Sequence, residues 1–393
     1  MYFKIPATKH LIKLFYGYNF QSVSNLMDKY IKIPMIPGPV SVHPDILSVM
    51  SKDYGAGQLD ENFLSLYRDT ENLLKKINEF SGDFIIMTGE GMIALWGALK
   101  STIKPKDKVY SIATGVFGDG IGDMAAASGA EVKKYLIPFN KTISHVDFEK
   151  IEKEIKTFNP KIITLVHCET PSGTLNPIKE VGEIKKRLNV PLLYVDAVAS
   201  MGGVPVAGDQ CHIDLLLGGT QKCFSCPPSL GLIGVSPRAW DIILEVSYEG
   251  YDALKPFKNI YQAGRPPYTP YWHGIAALNH GLNILFDEGL DSVFYRHRNA
   301  SEKCILLGKS LGLDLFTAPD AVNSPTVTAF NIPASFTWQQ WNHALYSKGL
   351  SVAGSFGPMA GKVFRLGHMG TQADNSLIEQ AFGVISSVLS GDL

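Results

Sequence analysis

Long apolar runs are missing from this chain: none approaches the roughly 20 residues that a membrane-spanning helix needs, so no membrane partner is expected. An excess of charge of either sign is missing too. The 36 Lys and Arg balance 37 Asp and Glu and no basic stripe is present, which removes nucleic acid from the expected partners. Cysteine is scarce. Its five residues, Cys168, Cys211, Cys223, Cys226 and Cys304, are odd in number and lack framework spacing, as suits a reducing, cytoplasmic compartment. Cys223 and Cys226 form a C-x-x-C, but there is no second one and Pro227-Pro228 follows, so no metal or redox role is expected. Internal repeats and low-complexity segments are also lacking.

Present instead are 37 Gly and 23 Pro in 393 residues that are 45% hydrophobic, the profile of a turn-rich globular protein of roughly two domains. Residues 1–33 carry Lys4, Lys9 and Lys13 with aromatics and no acid before Asp28. They read as an arm that packs on the body or on a partner subunit, with a transit peptide as the alternative. A large domain is expected over 34–265 and a smaller α+β domain over 266–393. Six strand-length apolar runs, Phe84 to Met87, Lys108 to Ile112, Lys161 to Val166, Pro191 to Val195, Ile213 to Leu217 and Leu230 to Val235, alternate with helical segments and lack strict polar alternation. Strands buried on both faces read this way, so the fold class is α/β, with a mostly parallel sheet covered by helices. Ligands of such sheets sit beyond the carboxyl ends of the strands.

The residues at those ends carry the chemistry. Asp196 closes the fourth run, and Lys222 follows the fifth in a Gly, Thr and Pro-rich turn. Read singly, they are a helix cap and a solvated lysine. Together they supply what pyridoxal phosphate needs: an amine to condense with its aldehyde, and an acid to keep its ring nitrogen protonated. After the first run, Thr88-Gly-Glu-Gly-Met92 has the form of an anion cradle with Glu90 and Gly91 in it, although a carboxylate repels a phosphate. Phe117, after the second run, is either a core residue or a ring-stacking one. After the third run, Thr170 or Ser172 is placed to hydrogen-bond a ring hydroxyl or phosphate, while His167 is expected to be structural. Arg365 lies inside an apolar strand of the small domain, where it is held by an ion pair or binds a substrate carboxylate in two-point fashion.

On Glu169-Thr-Pro-Ser-Gly173, Val195-Asp-Ala-Val-Ala-Ser200, Gly219-Thr-Gln-Lys222 and Phe364-Arg-Leu-Gly-His-Met-Gly370, the chain resembles the class V aminotransferases, fold type I pyridoxal phosphate enzymes. The resemblance runs from Pro37 to Gly370. It implies that Lys222 is the Schiff-base lysine, that Asp196 binds the pyridine nitrogen, and that Val198 and Phe117 pack on the two ring faces. It further implies that Gln221 contacts the phosphate, Thr170 the ring region and Arg365 the carboxylate of a 2-oxo acid. Homodimers, or tetramers built of dimers, are implied, with Thr269 reaching a neighbouring site. Glu90, together with Gly57-Gln-Leu-Asp60, departs from the alanine-glyoxylate and serine-pyruvate branches and looks like the pyridoxamine-pyruvate transaminases, in which unphosphorylated pyridoxamine is a substrate. That branch carries a second arginine where this chain has Phe356. The partners so implied are a small amine and a 2-oxo acid such as pyruvate or glyoxylate. A lyase or desulfurase of the same superfamily is a weaker alternative, because the last cysteine, Cys304, falls within an expected helix.

Overall fold

All six apolar runs become strands in the computed structural model, which describes residues 33–391. The expected arm, apart from Ile33, lies outside the described residues. In chain order the main-sheet strands are β1 (Asp83–Thr88), β2 (Lys108–Ala113), β3 (Glu131–Leu136), β4 (Ile162–Val166), β5 (Leu192–Asp196), β6 (Leu215–Gly219) and β7 (Leu230–Val235). They lie side by side in the order β1-β7-β6-β5-β4-β2-β3, and only β7 runs antiparallel to its neighbours. Adjacent residues of one strand serve opposite cores. Leu193 and Leu216 pack in one apolar cluster, Leu192, Leu215 and Leu217 in the other. This two-sided burial explains why the runs show no polar alternation.

Helices supply both covers. On one face lie α1 (Pro44–Met50), α2 (Glu61–Ile77) and α8 (Trp272–Glu288), whose Ile46, Phe63 and Leu278 join the cluster of Leu193. On the other lie α3 (Gly91–Thr102), α4 (Val116–Ala127) and α7 (Pro237–Val246), through Leu95, Ile121 and Ile243. Two further helices, α5 (His145–Phe158) and α6 (Ile178–Arg187), complete the first cover with Ile151 and Val181.

Strand β3 was not expected, since Glu131-Val-Lys-Lys-Tyr-Leu136 has no apolar run. It is an edge strand, and its lysines pair with acids of the adjoining helices: Lys133 with Glu154 at 3.0 Å, and Lys134 with Asp119 and Asp123 at 2.7 Å. Lysine on an edge also discourages pairing with another chain. The opposite edge, β1, is closed by side chains of α2. Tyr67 Oη accepts from Ile86 N at 2.8 Å, and Glu71 Oε1 accepts from Phe84 N at 3.2 Å.

After α9 (Leu290–Ser310) comes a three-stranded antiparallel sheet of β8 (Val327–Asn331), β9 (Ala353–Gly354) and β10 (Val363–Gly367), ordered β8-β10-β9. Its core of Phe330, Trp341 and Phe364 is shared with α10 (Trp338–Ser347) and α11 (Asn375–Leu389). The entering segment belongs to this region. Ile33 and Pro34 pair in parallel with Leu350 and Ser351, and Met35 O accepts from Gly367 N at 2.7 Å, which delivers Pro37-Gly-Pro39 to the carboxyl edge of the main sheet.

Tyr67→Phe leaves the buried Ile86 amide without its acceptor, so the expected loss is about 1–3 kcal/mol of unfolding free energy, read from denaturant melts at constant m-value. An unchanged midpoint would show that water reaches that edge.

Candidate active site

Five strands deliver their following residues to one edge, and a cavity of about 190 Å³ opens there. Glu90 and Gly91 reach it from the turn after β1, Phe117 from α4, and Thr170 from the loop after β4. Asp196 and Val198 come from the end of β5, Gln221 and Lys222 from the loop after β6. Gly91 is needed for close approach, since a Cβ there would lie 2.9 Å from Val198 Cγ2.

Lys222 is half-buried and directs its Nζ to the carbonyl oxygen of Pro37. Burial first, and the nearby Arg365 charge second, pull its pKa down to about 8. About a tenth of the amine is therefore neutral, hence nucleophilic, at pH 7, far more than for an ordinary lysine. The neighbouring Gly38 has φ +89, and a Cβ there would stand 2.4 Å from Lys222 Nζ, so only glycine lets this backbone pass the lysine.

Asp196 is buried at the mouth of β5, where its Oδ1 accepts from Val198 N at 2.9 Å. Burial raises its pKa to about 6, against the lowering by that amide and by Lys222. An acid so placed gains a strong partner when a ring N–H⁺ enters the cleft, and its carboxylate form is then favoured.

Glu90 caps its own helix. Its backbone is extended, its Oε1 accepts from Met92 N at 3.1 Å, and its Oε2 accepts from Gln221 Nε2 at 3.0 Å. Gln221 Oε1 is left buried without a partner. The end of the cleft formed by the start of α3 thus carries a carboxylate, an acceptor. It suits a hydroxyl donor better than a phosphate. Elsewhere the residues fit a vitamin B6 ring: a buried acid for its nitrogen, an amine for its aldehyde, and apolar Val198 and Phe117 beside the space between.

Arg365 is 3% exposed and its partners are carbonyls, not carboxylates. Nε and Nη2 donate to Gly354 O at 2.8 and 2.5 Å, and Nη1 donates to Thr170 O at 3.2 Å. It borders the cavity through Thr170 rather than lining it. Burial lowers its pKa to about 10, which leaves it charged at neutral pH. Thr269 stands apart from the cleft within its own chain, with its Oγ1 accepting from Gln58 Nε2 at 2.9 Å. Ser172 is also away from the cavity, bonded to Thr174 at 3.0 Å. His167 is buried with Nδ1 unpartnered, and burial holds it neutral with a pKa near 4. The thiols of Cys223 and Cys226 are engaged with backbone carbonyls, and burial pushes both to about 12.

Sequence reasoning assigned no role to two participants. The Pro37 carbonyl, being backbone, carries no side-chain signal. Glu169, quoted only as part of a motif, accepts from Phe117 N at 3.2 Å and Gly118 N at 2.6 Å, anchoring the start of α4 and with it Phe117. Burial raises its pKa to about 8 despite those two amides. Its signal was a carboxylate inside an otherwise uncharged turn.

An amine and an acid on successive strand ends of a mostly parallel sheet, with a buried arginine supplied by a second sheet, define a fold type I pyridoxal-phosphate-dependent transferase. The chain belongs to the class-V aminotransferase family, whose model matches residues 55–366, and it is a transaminase. It is 33% identical over 359 residues to an uncharacterized aminotransferase of Methanocaldococcus jannaschii, covering 90% of this chain and 91% of that one. It is 32% identical to the (S)-ureidoglycine–glyoxylate transaminase of Bacillus subtilis, covering 86% and 85%. Among solved structures, pyridoxamine-pyruvate aminotransferase from Mesorhizobium loti superposes with a TM-score of 0.86 at 27% identity, covering 92% and 93%.

Two outcomes follow from the geometry. The rate at which the vitamer-free protein reacts with pyridoxal, followed by visible absorption, is expected to rise about tenfold per pH unit below pH 8 and to level off above it, as Lys222 loses its proton. A rise that continues tenfold per unit through pH 9, with no plateau, would remove the depressed lysine. Glu169→Ala, which orphans two buried amides, is expected to cost about 2–4 kcal/mol in thermal unfolding, with a weaker grip on the ring.

Proposed function

We propose that the protein transfers an amino group between an unphosphorylated B6 vitamer, as substrate, and a small 2-oxo acid, pyruvate or glyoxylate. The observation that carries this reading is Glu90, whose own carboxylate occupies the anion site of α3, accepting from Met92 N and Gln221 Nε2, and puts negative charge where a phosphate would have to sit. The structural likeness to a pyridoxamine-pyruvate aminotransferase supports it. The vitamer ring supplies an electron sink that makes the hydrogen on the amino-bearing carbon acidic.

The chain's own residues do the rest. Asp196 holds a proton at the ring nitrogen. Lys222, its pKa near 8, takes a proton from the amino-bearing carbon and returns it to the carbon that receives the amine. Arg365 fixes the oxo-acid carboxylate, and Glu169 holds Phe117 against the ring through backbone amides. A homodimer in which Thr269 serves the neighbouring site, working in the cytoplasm, completes the proposal. The second reading is a conventional aminotransferase of the alanine-glyoxylate or serine-pyruvate type that retains pyridoxal phosphate. The similarity to a glyoxylate transaminase of Bacillus subtilis favours it.

Separate titrations with pyridoxal and pyridoxal phosphate, read by visible absorption, distinguish the two. Pyridoxal is expected to bind at least about tenfold more tightly, and Glu90→Ser to reverse that order by removing the charge repulsion. Tighter binding of the phosphate by the unaltered protein would overturn the first reading in favour of the second.

A further inference from the structure

We infer that Phe356 determines acid specificity, restricting the site to small monocarboxylic 2-oxo acids and rejecting dicarboxylic ones. The inference rests on the proposed role of Arg365. Phe356 is a large aromatic residue left 51% exposed, and its ring lies over the Arg365 guanidinium, 4.8 Å from Cζ to the ring centre. Water does not hold a phenyl ring in such a place, whereas attraction between the ring face and a cation does. The position is defined from two sides. Phe356 precedes the short turn Gly357–Met359, and a Cβ on Gly357 would meet Val116 Cγ2 at 3.2 Å. The turn therefore bridges Arg365 and the start of α4, where Phe117 lines the cavity.

Donor accounting limits what Arg365 can bind. Of the five N–H groups of a guanidinium, one each on Nε, Nη1 and Nη2 goes to the Gly354 and Thr170 carbonyls. One N–H remains on each terminal nitrogen. That pair matches one carboxylate held in two-point fashion. A second carboxylate on the same acid would need another cation. Of the residues lining the cavity, the only one is Lys222, which the reaction itself uses, while Glu90 and Asp196 are acids. The ring of Phe356, with its negative face and lack of donors, offers a distal carboxylate nothing. It closes one side of the guanidinium to water and leaves the short acid as the ligand that satisfies the site.

The test is the steady-state transamination of pyruvate and of 2-oxoglutarate, with saturating pyridoxamine as the amino donor, by the enzyme and three variants. Phe356→Leu is expected to raise KM for pyruvate about 2- to 5-fold with little change in kcat, the loss of one exposed cation–ring contact. Phe356→Lys is expected to raise the ratio of kcat/KM for 2-oxoglutarate over pyruvate by about tenfold or more, because it supplies the missing cation. If neither variant moves that ratio or the pyruvate KM while Arg365→Lys still impairs pyruvate binding, Phe356 has no part in specificity. If Arg365→Lys leaves the pyruvate KM unchanged, the carboxylate site lies elsewhere, and the reading of Arg365 falls together with this one.

Discussion

The site depends on keeping an amine and a carboxylate in one cleft without letting them neutralise each other. Lys222 gives its proton donor to the Pro37 carbonyl, not to Asp196, and Asp196 takes an amide hydrogen from Val198. A direct ion pair would stabilise both charges, restoring the lysine to a high pKa and closing the space between them. Held apart, each is destabilised by burial, the amine toward neutrality and the acid toward protonation. A ligand carrying an aldehyde at one end of a ring and a basic nitrogen at the other relieves both.

Much of this was legible in the sequence because buried parallel strands advertise themselves. Leu192 and Leu193 face opposite cores, so the strand that ends in Asp196 reads as an unbroken apolar run. Each run then points at its own end, which is how Glu90, Phe117, Thr170, Asp196 and Lys222 were found. Strand β3 was not legible, since an edge strand with Lys133 and Lys134 has the composition of a solvated loop. Nor was the duty of Glu169, which depends on where two amides of another segment arrive, a fact that no local pattern encodes. Thr269 shows the limit from the other side: a polar residue in a Pro-rich stretch pairs with Gln58, and nothing in its neighbours announces that partner.

Glu90 illustrates how one side chain can redirect a scaffold. The start of a helix offers unpaired amides and a favourable dipole to any anion. Here the chain fills that place itself, and Gln221 turns its amide nitrogen to the resident carboxylate, leaving its oxygen buried without a partner. The pocket end thereby carries a negative charge where a helix start would otherwise favour an anion from outside.

The path of the entering segment has a consequence for how the molecule is made. Ile33 and Pro34 pair with residues near 350, and Met35 with Gly367, so the carbonyl that receives Lys222 is fixed by a stretch of chain synthesised more than 300 residues later. Such long-range closure comes late in assembly. On the ribosome, therefore, the main sheet can form while its lysine still lacks a fixed seat. The lysine gains its Pro37 partner only once the second sheet has been made.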